Sequence, residues 1–155
     1  MTQPVRWFED FTPGLVLEGG DYLMTEAEIL DFARRYDPQP FHVDHAAAKA
    51  SIFGELVASG WHTAAVGMRL MVDHVFGAGG SMGSPGMQEM AWPRPVRVGD
   101  RLHIRVTVED ARLSKSKPDR GLVHFLGEVL NQDGEVAMRL RGMAFFRARG
   151  TAGGA

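Results

Sequence analysis

The residue order predicts an α+β chain in which one antiparallel sheet wraps against a mainly apolar helix. Three observations carry that expectation. One short strand pattern is followed by helical patterns and then by several long strand patterns. His103, Arg105, Thr107 and Glu109 alternate with Ile104, Val106 and Val108, the period of a half-buried strand. Residues 61–76 spread Trp61, Ala64, Ala65, Met68, Met71, Val72, Val75 and Phe76 round much of a helical circumference, as in a helix packed on several sides.

The elements follow in order. Residues 1–14, punctuated by Pro4, Pro13 and Gly14, read as an irregular lead-in. Residues 15–24 form a strand pattern weakened by Gly19 and Gly20. Thr25-Glu26-Ala27-Glu28 is a capping box, with Thr25 at the cap and Glu28 reaching back. The helix it opens runs to about Tyr36, placing Ile29, Leu30, Ala33 and Tyr36 on one face, and Pro38 disfavours helical geometry at Asp37. Asp44 is positioned to cap a short helix over 46–50, and a small-residue turn at Ser59-Gly60 opens the long helix. The Gly-rich stretch 77–86 is a flexible connection; it follows a helix and has Met82 where a dinucleotide loop needs its third glycine. Residues 87–92, 102–113, 122–130 and 135–146 read as strands, with Asp133-Gly134 marking a hairpin and 93–100 a connection. The tail 147–155 is expected to fray.

Bulk properties narrow the partners. With 155 residues, 45% hydrophobic and 23% charged, the chain is expected to be one domain, 1–155, with an ordered core over about 5–147. A net charge of −2 with scattered basic residues argues against nucleic acid. There are no cysteines, which excludes disulfides and thiolate chemistry and fits a cytoplasmic protein. No signal peptide is evident, and no apolar run reaches the roughly 18 residues of a membrane span. Long edge strands invite pairing with a second subunit, so a homodimer or higher homo-oligomer is expected.

The stretch from Asp37 to His42, Asp-Pro-Gln-Pro-Phe-His, sets two stiff residues between an acid and an imidazole. Five extended residues span up to ~17 Å, too far for two side chains to meet on one small molecule. A regular helix would put positions 37 and 42 about 140° apart. For the two to cooperate the segment must bend, and Pro38 and Pro40, each with φ held near −65°, lower the entropy lost in holding the bend. The plainer reading is that Asp37 caps a turn and His42 is a hydrogen-bonded structural histidine. Gly60 stands where a helix begins, so its N–H has no intrahelical partner and lies at the positive end of the dipole; with no side chain it admits a carbonyl group closely. Ser59 is the cap of the same helix.

The stretch 25–61 resembles the MaoC-like dehydratase family, which includes R-specific enoyl-CoA hydratases. The family pattern Asp-x-Asn-Pro-x-His-x-Asp is met by Asp37, Pro40, His42 and Asp44, with Gln39 in place of the usual Asn, and a helix-opening glycine follows at Gly60. Pro95-Val96, Gly99-Asp100 and Leu102 match a second family segment, and the likeness extends over about 15–147. It implies a hot-dog fold, a dimer, no cofactor, and chemistry on acyl thioesters of CoA or acyl carrier protein. It further implies that Asp37 and His42 share one water while a backbone N–H, matched by Gly60, meets the thioester oxygen.

Hydration of an enoyl thioester needs a base, an acid and an oxyanion donor, and the resemblance assigns these roles to these three residues. Two other readings stay open: a hot-dog thioesterase in which a carboxylate promotes hydrolysis, and a non-catalytic acyl-thioester-binding subunit, which the Gln39 replacement allows. Gln39 and Ser59 are candidates for substrate contact. Arg112, Lys115 and Lys117, in a small basic cluster with Arg120, are candidates for CoA phosphates, with a solvated hairpin as the alternative. His42-Val43-Asp44-His45 superficially resembles a metal site, but no third ligand with suitable spacing is evident, so no metal is expected.

Overall fold

The computed structural model describes residues 4–77 and 79–150; residues 1–3 of the lead-in, residue 78 of the glycine-rich connection and residues 151–155 of the tail lie outside the described residues. Strand β1 (Val16–Leu23) leads into helix α1 (Glu26–Tyr36), a one-turn helix α2 (Pro40–Val43), helix α3 (His45–Ala50) and helix α4 (Gly60–Met71). Strands β2 (Gly86–Ala91), β3 (Arg101–Leu113), β4 (Arg120–Leu130) and β5 (Val136–Arg147) complete the chain. The strands form one antiparallel sheet in the order β1-β3-β4-β5-β2. The sheet curls round α4, which is the hot-dog arrangement.

Alternation decides which face is buried. Leu102, Ile104, Val106 and Val108 of β3, Val123, Phe125 and Val129 of β4, and Leu140, Ala144 and Phe146 of β5 are buried in the core with Val66, Leu70 and Met71 of α4. The outer face carries cross-strand ion pairs instead. Arg105 meets Glu128 at 2.9 Å, and Arg141 bridges Glu89 and Glu109 at 3.1 Å each.

The helix starts follow the expected chemistry. Thr25 Oγ1 accepts the Glu28 N–H at 3.3 Å, and Glu28 reaches back to take the Thr25 hydroxyl at 3.0 Å and the Tyr22 hydroxyl at 2.6 Å. Asp44 Oδ1 accepts the Ala47 N–H at 2.7 Å. Pro38 lies just past the end of α1, and Pro40 is the first residue of α2, where a missing N–H costs nothing. The bend between Asp37 and His42 is therefore a helix stop followed two residues later by a helix start.

The long helix differs from its expected form in two ways. It is regular only to Met71 and continues through residues 72–76 as a π-helical turn. It also leaves one stripe uncovered, although it packs on several sides as expected. Trp61, Met68 and Val72 are 59%, 40% and 46% exposed, while His62 and Thr63 turn inward. His62 stacks on Phe32 with centroids 4.7 Å apart, and burial pushes its imidazole below the ordinary value against the opposing pull of Glu28. Apolar content alone could not separate a core face from an outward apolar stripe.

Gly19 and Gly20 weaken β1 as a strand for a packing reason. A Cβ on Gly19 would sit 2.6 Å from the His74 ring, and Gly20 adopts φ +99° where the β1–β3 register shifts. The π-helical turn crosses β1 at this point. Gly19→Val is expected to lower stability by about 1–3 kcal/mol through overpacking, measured by urea denaturation; unchanged stability would refute this close approach.

Candidate active site

A cleft of about 400 Å³ opens where the Asp37–His42 bend, the start of α4 and the segment before β3 converge. The bend supplies Asp37, Gln39, Phe41 and His42; α4 supplies Gly60, Trp61 and Thr63; the later segment supplies Trp92, Pro93, Arg94, Pro95 and Val96. The two far-apart stretches are tied together by the Ala58 N–H, which donates to the Val96 carbonyl at 2.8 Å. Phe53 and Val57 fill the remaining wall.

The expected acid and imidazole do meet. Asp37 Oδ2 lies 3.3 Å from His42 Nε2, and His42 is 5% exposed. The other ring nitrogen, Nδ1, is 2.7 Å from the Val57 carbonyl oxygen. A carbonyl only accepts, so Nδ1 carries the proton and Nε2 of the neutral ring presents a lone pair toward Asp37. Two acceptors 3.3 Å apart repel unless a proton lies between them or a water donates to both.

Asp37 is held as a carboxylate. Ser59 Oγ donates to Oδ2 at 2.6 Å, and Gln39 Nε2 donates to Oδ1 at 2.8 Å. Burial is the largest single influence on this carboxyl and pushes it up, but the bonds from Ser59 and Gln39 hold it below the usual range. Ser59 is directed by its own acceptor role: Trp61 N–H donates to Ser59 Oγ at 3.2 Å, which turns the hydroxyl proton to Asp37. Gln39 therefore contacts Asp37, and Ser59 is both cap and clamp.

Gly60 opens α4, as expected, and its N–H has no hydrogen-bond partner among the described residues. The space a side chain would take there is filled by the Trp92 indole, whose nearest atom lies 2.7 Å from an ideal Cβ. Trp92 Nε1 donates to the Gly60 carbonyl at 2.9 Å, and Trp61 packs edge-on against Trp92 at 5.6 Å. The N-terminus of α4 is thus a donor site with an aromatic wall beside it.

Arg112, Lys115 and Lys117 do not join this group within the chain. They lie at the β3–β4 hairpin, while the cleft lies before the start of β3, nearly the whole length of that 13-residue strand away. Arg112 pairs with Asp110 at 2.7 Å. The aromatic wall, the Val57 carbonyl and Arg94 were not legible as site components: a backbone acceptor has no sequence signal, and Trp92-Pro93-Arg94-Pro95 reads only as a connection. His45 turns away to Glu26 at 2.6 Å, and no group of three His, Asp or Glu side chains among the described residues is placed to hold a metal.

Known proteins resemble this chain in sequence and in fold. The profile of the MaoC like domain matches residues 12–124. The crystal structure of the MaoC-like dehydratase from Rhodospirillum rubrum superposes with a TM-score of 0.85 at 43% identity, covering 93% of this chain and 98% of that one. R-Hydratase PhaJ1 from Pseudomonas aeruginosa shares the fold, with a TM-score of 0.74 at 24% identity over 92% and 86% of the two chains. YdeM of Bacillus subtilis is 28% identical over 124 residues, 80% of this chain and 86% of its own.

The clamp on Asp37 has a measurable sign. A carboxyl lowered on folding stabilises the fold above its unfolded value, about 4, and loses that contribution as pH falls through the folded value. Ser59→Ala and Gln39→Leu each remove a donor, so the Asp37 carboxyl should titrate at higher pH in both, read by carbon NMR of the side chain. An unmoved titration in both variants would show that these contacts do not set it.

Proposed function

Because the chain belongs to the MaoC-like domain family, we propose that it adds or removes water across the 2,3-bond of an acyl thioester, interconverting a 2-enoyl and a 3-hydroxyacyl chain on CoA or acyl carrier protein. The observation that supports it best is the facing of two proton acceptors, Asp37 Oδ2 and His42 Nε2, at 3.3 Å beside the free Gly60 N–H. A water placed between the acceptors donates one hydrogen to each and turns a lone pair outward into the cleft. The thioester oxygen takes the Gly60 N–H, so charge that grows there meets the positive end of α4.

In the hydration direction the water oxygen bonds to Cβ as the carbon–carbon π pair shifts toward Cα and the thioester oxygen. The water's proton passes to His42 Nε2, and the imidazolium so formed is stabilised by the Asp37 carboxylate. That proton is then given to Cα as the enolate pair forms the new carbon–hydrogen bond, which returns the ring to neutral. Val57 holds the ring tautomer throughout. Asp37→Asn and His42→Ala are expected to lower turnover ~10²–10⁴-fold, followed as loss of enoyl-thioester absorbance across a panel of chain lengths. Wild-type rates in both variants would exclude these roles, and release of free thiol from a saturated acyl-CoA would make the protein a thioesterase.

The same reading includes a second copy of the chain. β1 and β2 are the two edges of the sheet, and the outward stripe of α4, Trp61, Met68 and Val72, is accompanied by exposed Met87 on β2. An apolar stripe beside a free strand edge is the surface a symmetric partner covers. Met68→Glu with Val72→Glu should convert a dimer to a monomer in sedimentation velocity. A wild-type chain that sediments as a monomer at micromolar concentration would overturn this part of the proposal.

A further inference from the structure

The cleft has a direction that its residues imply. Gly60 follows Ser59, which is bonded to Asp37, and the Trp92 indole stands where a Gly60 side chain would be. A thioester oxygen on the Gly60 N–H, with Cβ at the Asp37–His42 pair, leaves its sulfur and carrier arm pointing along Trp92. From Trp92 the chain runs through Pro93, Arg94 and Pro95, all of which line the cleft. Among the described residues lining it, Arg94 is the one arginine or lysine. Two flanking prolines fix the backbone on both sides of it, so less order is lost when its side chain engages a ligand.

Arg94 is also available. Its contact in the chain is Glu135 at 3.5 Å, with both side chains about half exposed (55% and 41%). An exposed pair of that length is weak, whereas a phosphate offers a planar guanidinium two parallel bonds. Arg97, the nearby alternative, pairs with Glu55 at 3.0 Å and does not line the cleft. Beyond Arg94 a polar depression sets the three carboxylates of Asp100, Asp133 and Glu135 against one further guanidinium, that of Arg97. An arm carrying one phosphate is matched at Arg94, and further phosphates on the same line meet carboxylates.

We infer that Arg94 receives the phosphate of the carrier's phosphopantetheine arm, the group that CoA and acyl carrier protein share, and so sets affinity for the carrier while the acyl end lies toward Phe41 and Phe53. This rests on the cleft being a thioester site. Its test uses three crotonyl thioesters: of CoA, of phosphopantetheine, and of N-acetylcysteamine, which has no phosphate. Arg94→Ala should raise KM about ten-fold for the first two, the loss of one charge-assisted bond, and leave kcat/KM for the third within about two-fold. Arg94→Lys should restore part of the loss, and Glu135→Gln, which frees the guanidinium, should lower KM for both phosphate-bearing substrates.

Equal losses on all three thioesters, no loss on any, or a loss confined to CoA would overturn the assignment; the last would place the anion on the nucleotide. Calorimetric binding of butyryl-CoA and butyryl-phosphopantetheine to wild type and Arg94→Ala separates this inference from the reaction. A wild type that binds both but hydrates no enoyl thioester defeats the hydratase reading, while the affinity ratio still decides Arg94. Absence of binding to wild type defeats the inference outright.

Discussion

The hydrogen bond between His42 Nδ1 and the Val57 carbonyl, 2.7 Å long, is the contact on which the rest of the site depends. It assigns the ring proton, and with it the chemical character of the nitrogen that faces Asp37. It also links the bend after α1 to the strand-like segment before α4. That segment is in turn bound to the Val96 stretch through Ala58. One buried imidazole therefore holds together three pieces of chain that are distant in sequence. Without it, Nε2 could face the carboxylate as either donor or acceptor, and a shared water would have no fixed orientation.

Around that contact the charges are arranged to keep their states. Asp37 receives two neutral donors, so it stays an acceptor despite its burial. The donor from Ser59 is itself aimed by the first turn of α4. The helix contributes twice, by orienting a hydroxyl toward a carboxylate and by leaving the Gly60 N–H unpaired at its positive end. In the proposed reaction the three parts of the chemistry would be mechanically coupled, because a single helix N-terminus supplies two of them.

Much of this was legible in residue types. Period-two alternation in β3, the Thr25 and Asp44 caps, and Ser59-Gly60 as a helix start were each local chemistry, and each was found where local chemistry placed it. The pairing of Asp37 with His42 was implied by the family resemblance; the two prolines pointed to a stiff bend but did not by themselves bring the side chains together. What escaped was non-local. The outward stripe of α4 was counted among the residues of a helix packed on several sides, since apolar residues mark a packed face without saying what packs there. The role of Val57 belongs to its carbonyl, and Trp92 enters the site through pairing between residues some 40 positions apart. Gln39 illustrates the middle case: its presence at the bend was plain, but only coordinates reveal that its amide ends on Asp37.

The indole over Gly60 has a further consequence. Two of the chain's three tryptophans, Trp61 and Trp92, line the cleft, and one of them donates its only polar hydrogen to the helix that bears the donor site. Indole emission responds to polarity and to hydrogen bonding at that nitrogen. A ligand seated in the cleft as proposed would change the surroundings of both indoles, so the chain's own fluorescence would report occupancy without a label.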